Sequence, residues 1–264
     1  MRRANLKFFK PLVFLLSFQF FLSVPTHAAE KENALFQVST INALLGGVLE
    51  GTVDFKTLKE KGDFGIGTFH ELDGEMIALD GVFYQIKADG TVSVATDDMK
   101  TPFCSITFFK PQETLRLDGP FVLKDFAGKL DPLLATPNLI YAVRIDGTFD
   151  YIKTRSVPRQ NKPYPNLTEV VKTQPVFEFQ NVQGTIVGFR FPEYMQDLNV
   201  PSYHFHFITQ DRKGGGHILD WNLTGAEVKI SSISDFRMVL PHNAEFYEIN
   251  LSQDTKLDLM KVER

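Results

Sequence analysis

Apolar runs rich in phenylalanine, valine, isoleucine and threonine alternate with short polar stretches along the chain. Runs of this composition, bounded by residues that favour turns, predict β-strands. The predicted strand regions are 81–95, 101–109, 141–157, 176–192, 203–210 and 227–241. Within them Asp89-Gly90, Asp146-Gly147 and Gln183-Gly184 are typical of tight turns, so we expect the chain to reverse at these three positions.

Helical spacing of apolar residues is less frequent. We predict short helices within residues 33–48 and 54–62, where apolar positions recur three or four residues apart and glycine marks the end. Residues 120–134 are a third candidate. The fold class expected is therefore α+β and β-dominated, with two strand-rich halves, mixed sheets and a few short helices. We place a domain boundary in the proline-rich segment 158–175, which gives domains 29–160 and 161–264. The same segment also suits a functional loop within one unit.

The beginning of the chain has the pattern of a secretory signal peptide. It carries four basic side chains, Arg2, Arg3, Lys7 and Lys10. The apolar run 11–24 follows, and then small residues suited to cleavage, so we assign residues 1–28 to the signal. The apolar run is short for a membrane-spanning helix. The alternative to a cleaved signal peptide is an uncleaved N-terminal anchor. We expect an exported protein, secreted or periplasmic, without stable membrane insertion after cleavage.

Charge and cysteine content narrow the function classes. The chain has 28 basic and 32 acidic residues. Residues 1–28 hold four of the basic and none of the acidic residues, so their removal leaves a net charge of −8. Such an acidic protein is a poor candidate for binding nucleic acid or anionic membranes. Cys104, the single cysteine, lies in an apolar strand-like run, and we interpret it as a buried apolar side chain.

Three histidines fall within 14 residues. His204 and His206 are two apart on a predicted strand and so project to one face of it, whereas Phe205 and Phe207 face the core. The glycine-rich stretch 211–216 predicts a reversal that brings His217 beside the pair. Three neutral imidazoles with open positions form a typical catalytic zinc site. Two histidines satisfied by ordinary hydrogen bonds are the alternative, since H-x-H alone is common. His70 and His242 are isolated, and we expect them to be surface or packing residues.

Long segments of the mature chain resemble bacterial α-acetolactate decarboxylases. These segments are "GTFHELDGEMIALDGVFYQIKADGTV" (67–92), "TPFCSITFF" (101–109), "IKTRSVPRQNKPYPNLTEV" (152–170), "TQPVFEFQNVQGTIVGFRFPEYM" (173–195) and "YHFHFITQDRKGGGHILD" (203–220). The resemblance implies decarboxylation of (S)-2-acetolactate to (R)-acetoin and CO₂ by a homodimer. It also implies a divalent cation, usually zinc with other divalent metals possible, bound by the three histidines His204, His206 and His217.

The resemblance further implies three catalytic side chains, Glu75, Arg155 and Glu263. Taken alone, Glu75 would be a turn carboxylate, Arg155 a solvated strand charge and Glu263 part of a frayed terminus. With the resemblance, we expect the C-terminal tail to fold back to the site. Thr68 is a further residue that borders this region, but nothing in its pattern assigns it a role.

The chemistry needs residues of these types. Loss of CO₂ from a 3-oxo acid leaves an enediolate, which a metal chelated by the ketone and hydroxyl oxygens stabilises. Arg155 could hold the carboxylate through its donor fork. A protonated glutamate, either Glu75 or Glu263, could then supply the proton.

Two other function classes stay open. One is a different three-histidine zinc enzyme, such as a hydratase of the carbonic anhydrase type or a cupin-like oxygenase. A hydratase would need no arginine at the metal. The other is an exported metal-binding module, in which the metal would be coordinatively saturated and no turnover would occur.

Overall fold

The structure, a computed structural model, describes residues 33–263. The predicted signal peptide, residues 1–28, lies outside these residues. Residues 33–263 belong to one compact unit. Among them, no helix is both long enough and apolar enough to cross a lipid bilayer.

Strands make up most of the regular structure. The described strands are β1 Ala34–Val38, β2 Val53–Asp54, β3 Phe64–Thr68, β4 Glu75–Leu79, β5 Val82–Ile86, β6 Val92–Val94, β7 Lys100–Thr101, β8 Cys104–Thr107, β9 Glu113–Val122, β10 Ile140–Arg155, β11 Val176–Phe191, β12 Ser202–Thr209, β13 Gly215–Ile233 and β14 Asp235–Val239. This content confirms the predicted β-dominated α+β class.

The α-helices are short. They are α1 Ile41–Leu45, α2 Phe55–Lys59, α3 Leu123–Leu130, α4 Leu167–Val170, α5 Ala244–Glu248 and α6 Lys256–Val262. Helices of this length are not stable by themselves, so contacts with the rest of the protein must hold them. The carboxylate of Asp54 caps α2 by accepting a hydrogen bond from the Thr57 backbone N–H at 2.8 Å.

Seven strands form the first sheet, in the order β14-β1-β8-β3-β4-β5-β6. β1 and β14 run parallel, and the other neighbours are antiparallel, so the sheet is mixed. The predicted hairpin at Asp89-Gly90 is confirmed, because β5 and β6 flank it and pair with each other. β2 and β7 form a separate two-stranded pair.

The second sheet closes on itself. Its order is β10-β11-β12-β13-β9, and β10 also pairs with β13, so β10 to β13 form an antiparallel barrel. β13 pairs with β12 at its start and with β9 farther along, while β10 runs along its other edge. Closure of this kind reduces the free edges of the four barrel strands, although residues 176–183 of β11 pair with β10 alone.

Two of the three predicted tight turns are wrong. Asp146-Gly147 and Gln183-Gly184 lie inside the continuous 16-residue strands β10 and β11, where Gly147 pairs with Gly184. These glycines allow close packing instead. A Cβ on Gly184 would lie 2.3 Å from the Phe207 ring, and one on Gly147 would lie 2.8 Å from the Gly225 carbonyl oxygen. Glycine in a strand thus marks close approach here.

The segment 33–48 is only partly helical. Residues Ala34–Val38 form β1 and only Ile41–Leu45 form a helix, α1. Between them Ser39 adopts a φ of 63°, and Thr40 accepts a hydrogen bond from the Ala43 backbone N–H, which begins the helix. Both elements are buried almost throughout, so their apolar residues show neither a clean two-residue nor a clean 3.6-residue period.

The sheets do not divide where we placed the domain boundary. Residue 160 lies between β10 and β11, which pair along their whole length. The first sheet instead takes its strands from residues 34–107 and 235–239, and the second from residues 113–233. The division into domains 29–160 and 161–264 stays a prediction.

An apolar cluster joins the two sheets. It contains Phe64, Ile66 and Ile77 from the first sheet and Val187, Phe189 and Ile208 from the second. A second cluster fills the barrel and includes Phe205 and Phe207, as expected from their alternation with the histidines. The opposite face of β12 therefore points out of the barrel interior, towards β3 and β4 of the first sheet.

Candidate metal and active site

The three histidines lie on adjacent strands. His204 and His206 project from β12, and His217 follows the predicted glycine-rich reversal into β13, where it pairs directly with His206. All three side chains are buried. Side chains two residues apart on β12 point the same way, and the pairing of β12 with β13 sets His217 opposite His206. Regular strand geometry therefore brings the three rings together.

The ring nitrogens of these histidines converge. One nitrogen from each ring lies within 4.8 Å of the others. Nδ1 of His206 lies 3.0 Å from the carbonyl oxygen of Met76. A carbonyl only accepts, so Nδ1 carries the proton and Nε2 of His206 keeps its lone pair towards the site. Nε2 of His204 lies 3.2 Å from Nδ1 of His217.

Glu75 and Arg155 lie beside the histidines. Glu75 begins β4, and its Oε2 is 3.6 Å from Nε2 of His206. Arg155 ends β10, pairs with His217 across the sheet, and places Nη1 3.8 Å from Oε1 of Glu75. Both side chains are buried. Burial of both side chains rules out the alternatives that each residue would suggest taken alone, a solvated strand charge at position 155 and an exposed turn carboxylate at position 75.

Glu263 reaches the site from the C-terminal side. It follows α6, and its Oε2 lies 3.7 Å from Nε2 of His217 and 3.9 Å from Nε2 of His204. The chain folds back at this end, and Glu75, Arg155, His204, His206, His217 and Glu263 line one cavity. His70 and His242 lie elsewhere: the Gly51 backbone N–H donates to His70, and His242 lies beside Tyr247.

Burial changes the protonation of the site. It raises the pKa of Glu75 to about 7, an effect that Arg155 lessens and the charge of Glu263 increases. Burial also raises the pKa of Glu263 to about 7, again lessened by Arg155. The pKa of His204 falls to about 3, mainly through burial and then through Arg155. Burial also lowers the pKa of His206 and His217 well below the usual value. The imidazoles are therefore neutral at pH 7.

These residues fit a divalent cation. Three neutral imidazoles offer lone pairs to one point, and two carboxyl groups adjoin them. Within residues 33–263, Nδ1 of His204 and Nε of Arg155 are buried polar atoms without a hydrogen-bond partner. Buried polar atoms in this state are costly, which is typical of a site that a ligand or cation completes. Three histidines with room for further ligands match catalytic rather than structural zinc sites.

A family model described as alpha-acetolactate decarboxylase matches residues 35–253. The chain belongs to this family. The alpha-acetolactate decarboxylase of Methanosarcina mazei is 48% identical to it over 241 residues, which are 91% of this chain and 84% of the relative. That of Bacillus subtilis strain 168 is 45% identical, over 82% of this chain and 85% of the relative.

Solved structures of alpha-acetolactate decarboxylases have the same fold. The crystal structure of the Bacillus subtilis strain 168 protein superposes with a TM-score of 0.85 at 42% identity, covering 87% of this chain and 98% of that chain. A Staphylococcus aureus protein, described as being of unknown function and similar to alpha-acetolactate decarboxylase, gives a TM-score of 0.81 at 33% identity, with 87% and 98% covered. Helix α6 and Glu263 lie beyond the matched family range, so their place in the site rests on the structure.

This alpha-acetolactate decarboxylase family member has an apolar wall that the sequence analysis did not predict. The wall is formed by Ile41, Leu44, Leu72, Phe103, Val157, Leu167 and Val262. Most of these residues come from α1, α4, α6 and the segments between strands, where no periodic pattern relates them. The proline-rich segment 158–175 contributes Leu167, so its interpretation as a functional loop has support. Thr68 also lines the cavity and donates to the Gly74 carbonyl at 2.7 Å.

A strained turn leads into Glu75. Glu71 and Leu72 both have a φ of 59°, which is rare for residues other than glycine. The backbone of Glu71 is held on both sides, because its N–H donates to Leu49 and its carbonyl accepts from Gln160. Its carboxylate pairs with Arg159. Strain of this kind persists only where surrounding contacts fix it, and it is common at active sites.

Proposed function

We propose that this protein decarboxylates (S)-2-acetolactate to (R)-acetoin and CO₂. The observation that carries the proposal is the meeting of three neutral histidines, two glutamates and one arginine in a single buried cavity. The activity is that named for the relatives of this chain, which match it over most of its length. Zinc is the cation that we propose, with other divalent metals as alternatives.

The division of the cavity into a polar and an apolar half supports this substrate. Acetolactate carries a carboxylate, a hydroxyl and a ketone, which suit the histidines, Arg155 and the glutamates. Its two methyl groups suit the apolar wall around Leu44 and Leu167. A cation held by His204, His206 and His217 would supply Lewis-acid polarisation of the ketone.

Arg155 has the position to hold the substrate carboxylate. Its guanidinium lies at the cavity, carries five N–H donors, and has donors left over from its 3.8 Å contact with Glu75. Fixing the carboxylate also fixes the breaking C–C bond relative to the ketone. An arginine in this place distinguishes the proposal from a hydratase, which has no carboxylate to bind.

Glu75 and Glu263 are the candidates for proton transfer. When CO₂ leaves, the electron pair of the broken C–C bond moves into the substrate as an enediolate. The carbon that lost CO₂ must then gain one proton on one face. Carboxyl groups whose pKa is about 7 can give up that proton and recover it at neutral pH. Glu75 lies beside His206, whereas Glu263 lies beside His204 and His217, so the two would approach a bound substrate from different positions.

One assay with its controls tests the proposal. The chain without residues 1–28 is incubated with racemic acetolactate, and acetoin and CO₂ are followed before chelation, after chelation and after zinc is restored. We expect acetoin to disappear with the chelator and return with zinc. His206→Ala should lose both metal and activity, whereas His242→Ala should keep both. Bound metal without acetoin would point to another zinc enzyme or to a binding module.

We also propose export and a homodimer. Export follows from the signal pattern in residues 1–28 and predicts that the native protein begins near residue 29. Mass spectrometry of the protein from its natural source checks this, and an unprocessed N-terminus would contradict it.

The homodimer predicts a particle of twice the monomer mass in sedimentation equilibrium.

A further inference from the structure

Helix α6 delivers Glu263 to the site. Glu263 is the residue directly after α6, and its backbone N–H donates to the Leu259 carbonyl at 3.0 Å, which ties it to the last turn of the helix. Leu259 and Val262 are buried in the same apolar cluster as α1, while Leu257 and Met260 are exposed. A helix rises 1.5 Å per residue, so Thr255, the residue before the helix, lies about 12 Å along its axis from Glu263.

The start of α6 is held by a neighbouring helix. Thr255 occupies the position before the helix, but its hydroxyl does not cap it. The hydroxyl instead donates to Oδ1 of Asn42 at 2.6 Å. A seven-residue helix without a side-chain cap has little stability of its own. Contacts with the rest of the protein therefore decide where α6 begins, and this hydrogen bond is made at the residue directly before it.

Asn42 is a buried amide in an otherwise apolar helix. All five residues of α1 are buried, and Asn42 is 4% exposed. Its Nδ2 donates to Oδ1 of Asp197 at 3.2 Å, so both ends of the amide are paired. Burial of an amide costs free energy unless the amide is hydrogen bonded, whereas an aliphatic side chain at this position would need no hydrogen-bond partner. Its neighbours Ile41 and Leu44 line the cavity.

We propose that Asn42 and Thr255 are positioning residues for Glu263. Their hydrogen bond fixes the helix that places the Glu263 carboxylate against His204 and His217. This inference rests on the proposed function, because it gives the position of Glu263 a role in turnover. The carboxylate lies 3.9 Å and 3.7 Å from the two histidines, so a helix shift of one ångström changes both contacts.

Other contacts keep the C-terminal segment attached when this hydrogen bond is lost. Nζ of Lys162 lies 2.5 Å from Oε1 of Glu245 in α5. Ile249 packs against Gly46 at the end of α1, where no side chain would fit. Leu259 and Val262 remain buried in their apolar cluster. We therefore expect a displaced carboxylate rather than an unfolded protein.

The first test replaces the hydroxyl of Thr255. Thr255→Val keeps the shape and removes the donor, whereas Thr255→Ser keeps the donor. We expect kcat for acetolactate to fall about 10- to 100-fold in Thr255→Val, with a smaller change in KM, because displaced reacting groups cost rates of this order. Thr255→Ser should stay close to the unaltered protein. Ser252→Ala, an exposed position three residues earlier, is the matched control and should change nothing.

The second test asks whether Thr255 acts through Glu263. In a Glu263→Gln background, Thr255→Val should lower kcat no further, because coupled residues are not additive. A full additional loss would show that the hydroxyl acts elsewhere and would overturn the inference. Undiminished kcat in Thr255→Val alone would also overturn it. Absence of acetoin from the unaltered protein would instead refute the proposed function, and the inference with it.

Discussion

At the scale of single residues, burial decides what each ionisable group at the site can do. Glu75 and Glu263 share the cavity with three imidazoles, and burial disfavours the charged form of each of these groups. The carboxyl groups therefore hold their protons up to about neutral pH, while the histidines lose theirs well below it. This separation makes the carboxyl groups proton carriers and the histidines cation ligands.

The first prediction concerns which carboxyl group transfers the proton. Glu75→Gln and Glu263→Gln each keep the shape of the side chain but cannot exchange a proton at neutral pH. We expect the variant that lacks the proton donor to lose roughly 10²- to 10⁴-fold in kcat. The other variant should lose less. Steady-state rates of acetoin formation measure both effects, with bound zinc quantified in each protein to exclude simple metal loss. Unchanged kcat in both variants would rule out either glutamate as the donor.

The second prediction concerns pH. Ordinary imidazoles with a pKa near 6.5 each weaken zinc binding about tenfold between pH 7.5 and 5.5, or roughly 1000-fold for three. The pKa of His204, His206 and His217 is lowered, so these ligands stay neutral over this range and proton competition is largely absent. We expect a far smaller loss of affinity than 1000-fold.

The measurement must separate the histidines from the carboxyl groups. Glu75 and Glu263 titrate near pH 7 and would themselves weaken cation binding on acidification. Chelator competition in the double variant Glu75→Gln, Glu263→Gln leaves only the imidazoles to titrate. A 1000-fold loss in that variant would mean that the histidines have ordinary pKa values.

The sequence predicts these residues unequally. His204, His206 and His217 follow from strand alternation and one glycine-rich reversal, which are local features. Glu75, Arg155 and Glu263 came only from the resemblance, because their partners lie far away along the chain. No local pattern distinguishes a buried glutamate at a strand end from an exposed one.

At the scale of elements, two glycines that predicted turns lie inside strands of the barrel. Gly147 and Gly184 follow polar residues, and this pattern also begins many turns. In the structure they lie opposite each other within continuous strands, and they leave room for Phe207 and for the neighbouring backbone. The side chains that need this room are distant in sequence, so only the assembled barrel shows the reason.

The third prediction compares two glycines. Gly184→Ala places a methyl group 2.3 Å from the Phe207 ring and 2.6 Å from the Ile208 carbonyl oxygen. We expect it to lower the free energy of unfolding by about 1–3 kcal/mol. Gly128→Ala in α3 meets nothing within 4 Å and should raise that free energy by about 0.5–1 kcal/mol. Urea unfolding of both variants measures the difference. Equal midpoints would contradict the tight packing at Gly184.

At the scale of the whole molecule, distant parts of the chain combine. The parallel pairing of β1 with β14 joins its early and late segments, and the barrel lies between them in sequence. The candidate site then takes Glu75 from the first sheet, Arg155 and the histidines from the barrel, and Glu263 from the segment after β14. The fold class was predictable from the composition and spacing of the apolar runs, but this long-range pairing was not.

The fourth prediction concerns the C-terminal segment. Deleting residues 261–264 removes Glu263 and also Val262, a buried residue of the apolar wall. We expect turnover to be nearly abolished while most of the fold stays intact, because only about 1.5–3 kcal/mol of apolar burial is lost with Val262. Acetoin formation and a circular dichroism melt test this. Glu263→Gln is the matched control, which isolates the carboxylate. Full activity after the deletion would show that the tail has no part in the reaction.

Glu263 is the last of the site residues in chain order. Activity therefore also indicates whether synthesis of the chain has passed this residue. A chain that ends before residue 263 keeps the barrel strands and the three histidines, yet it lacks one carboxyl group of the site. Cation binding would then precede turnover during synthesis. Released chains that end at successive positions would bind metal once they include the barrel strands and His217, and would decarboxylate acetolactate only once they include residue 263.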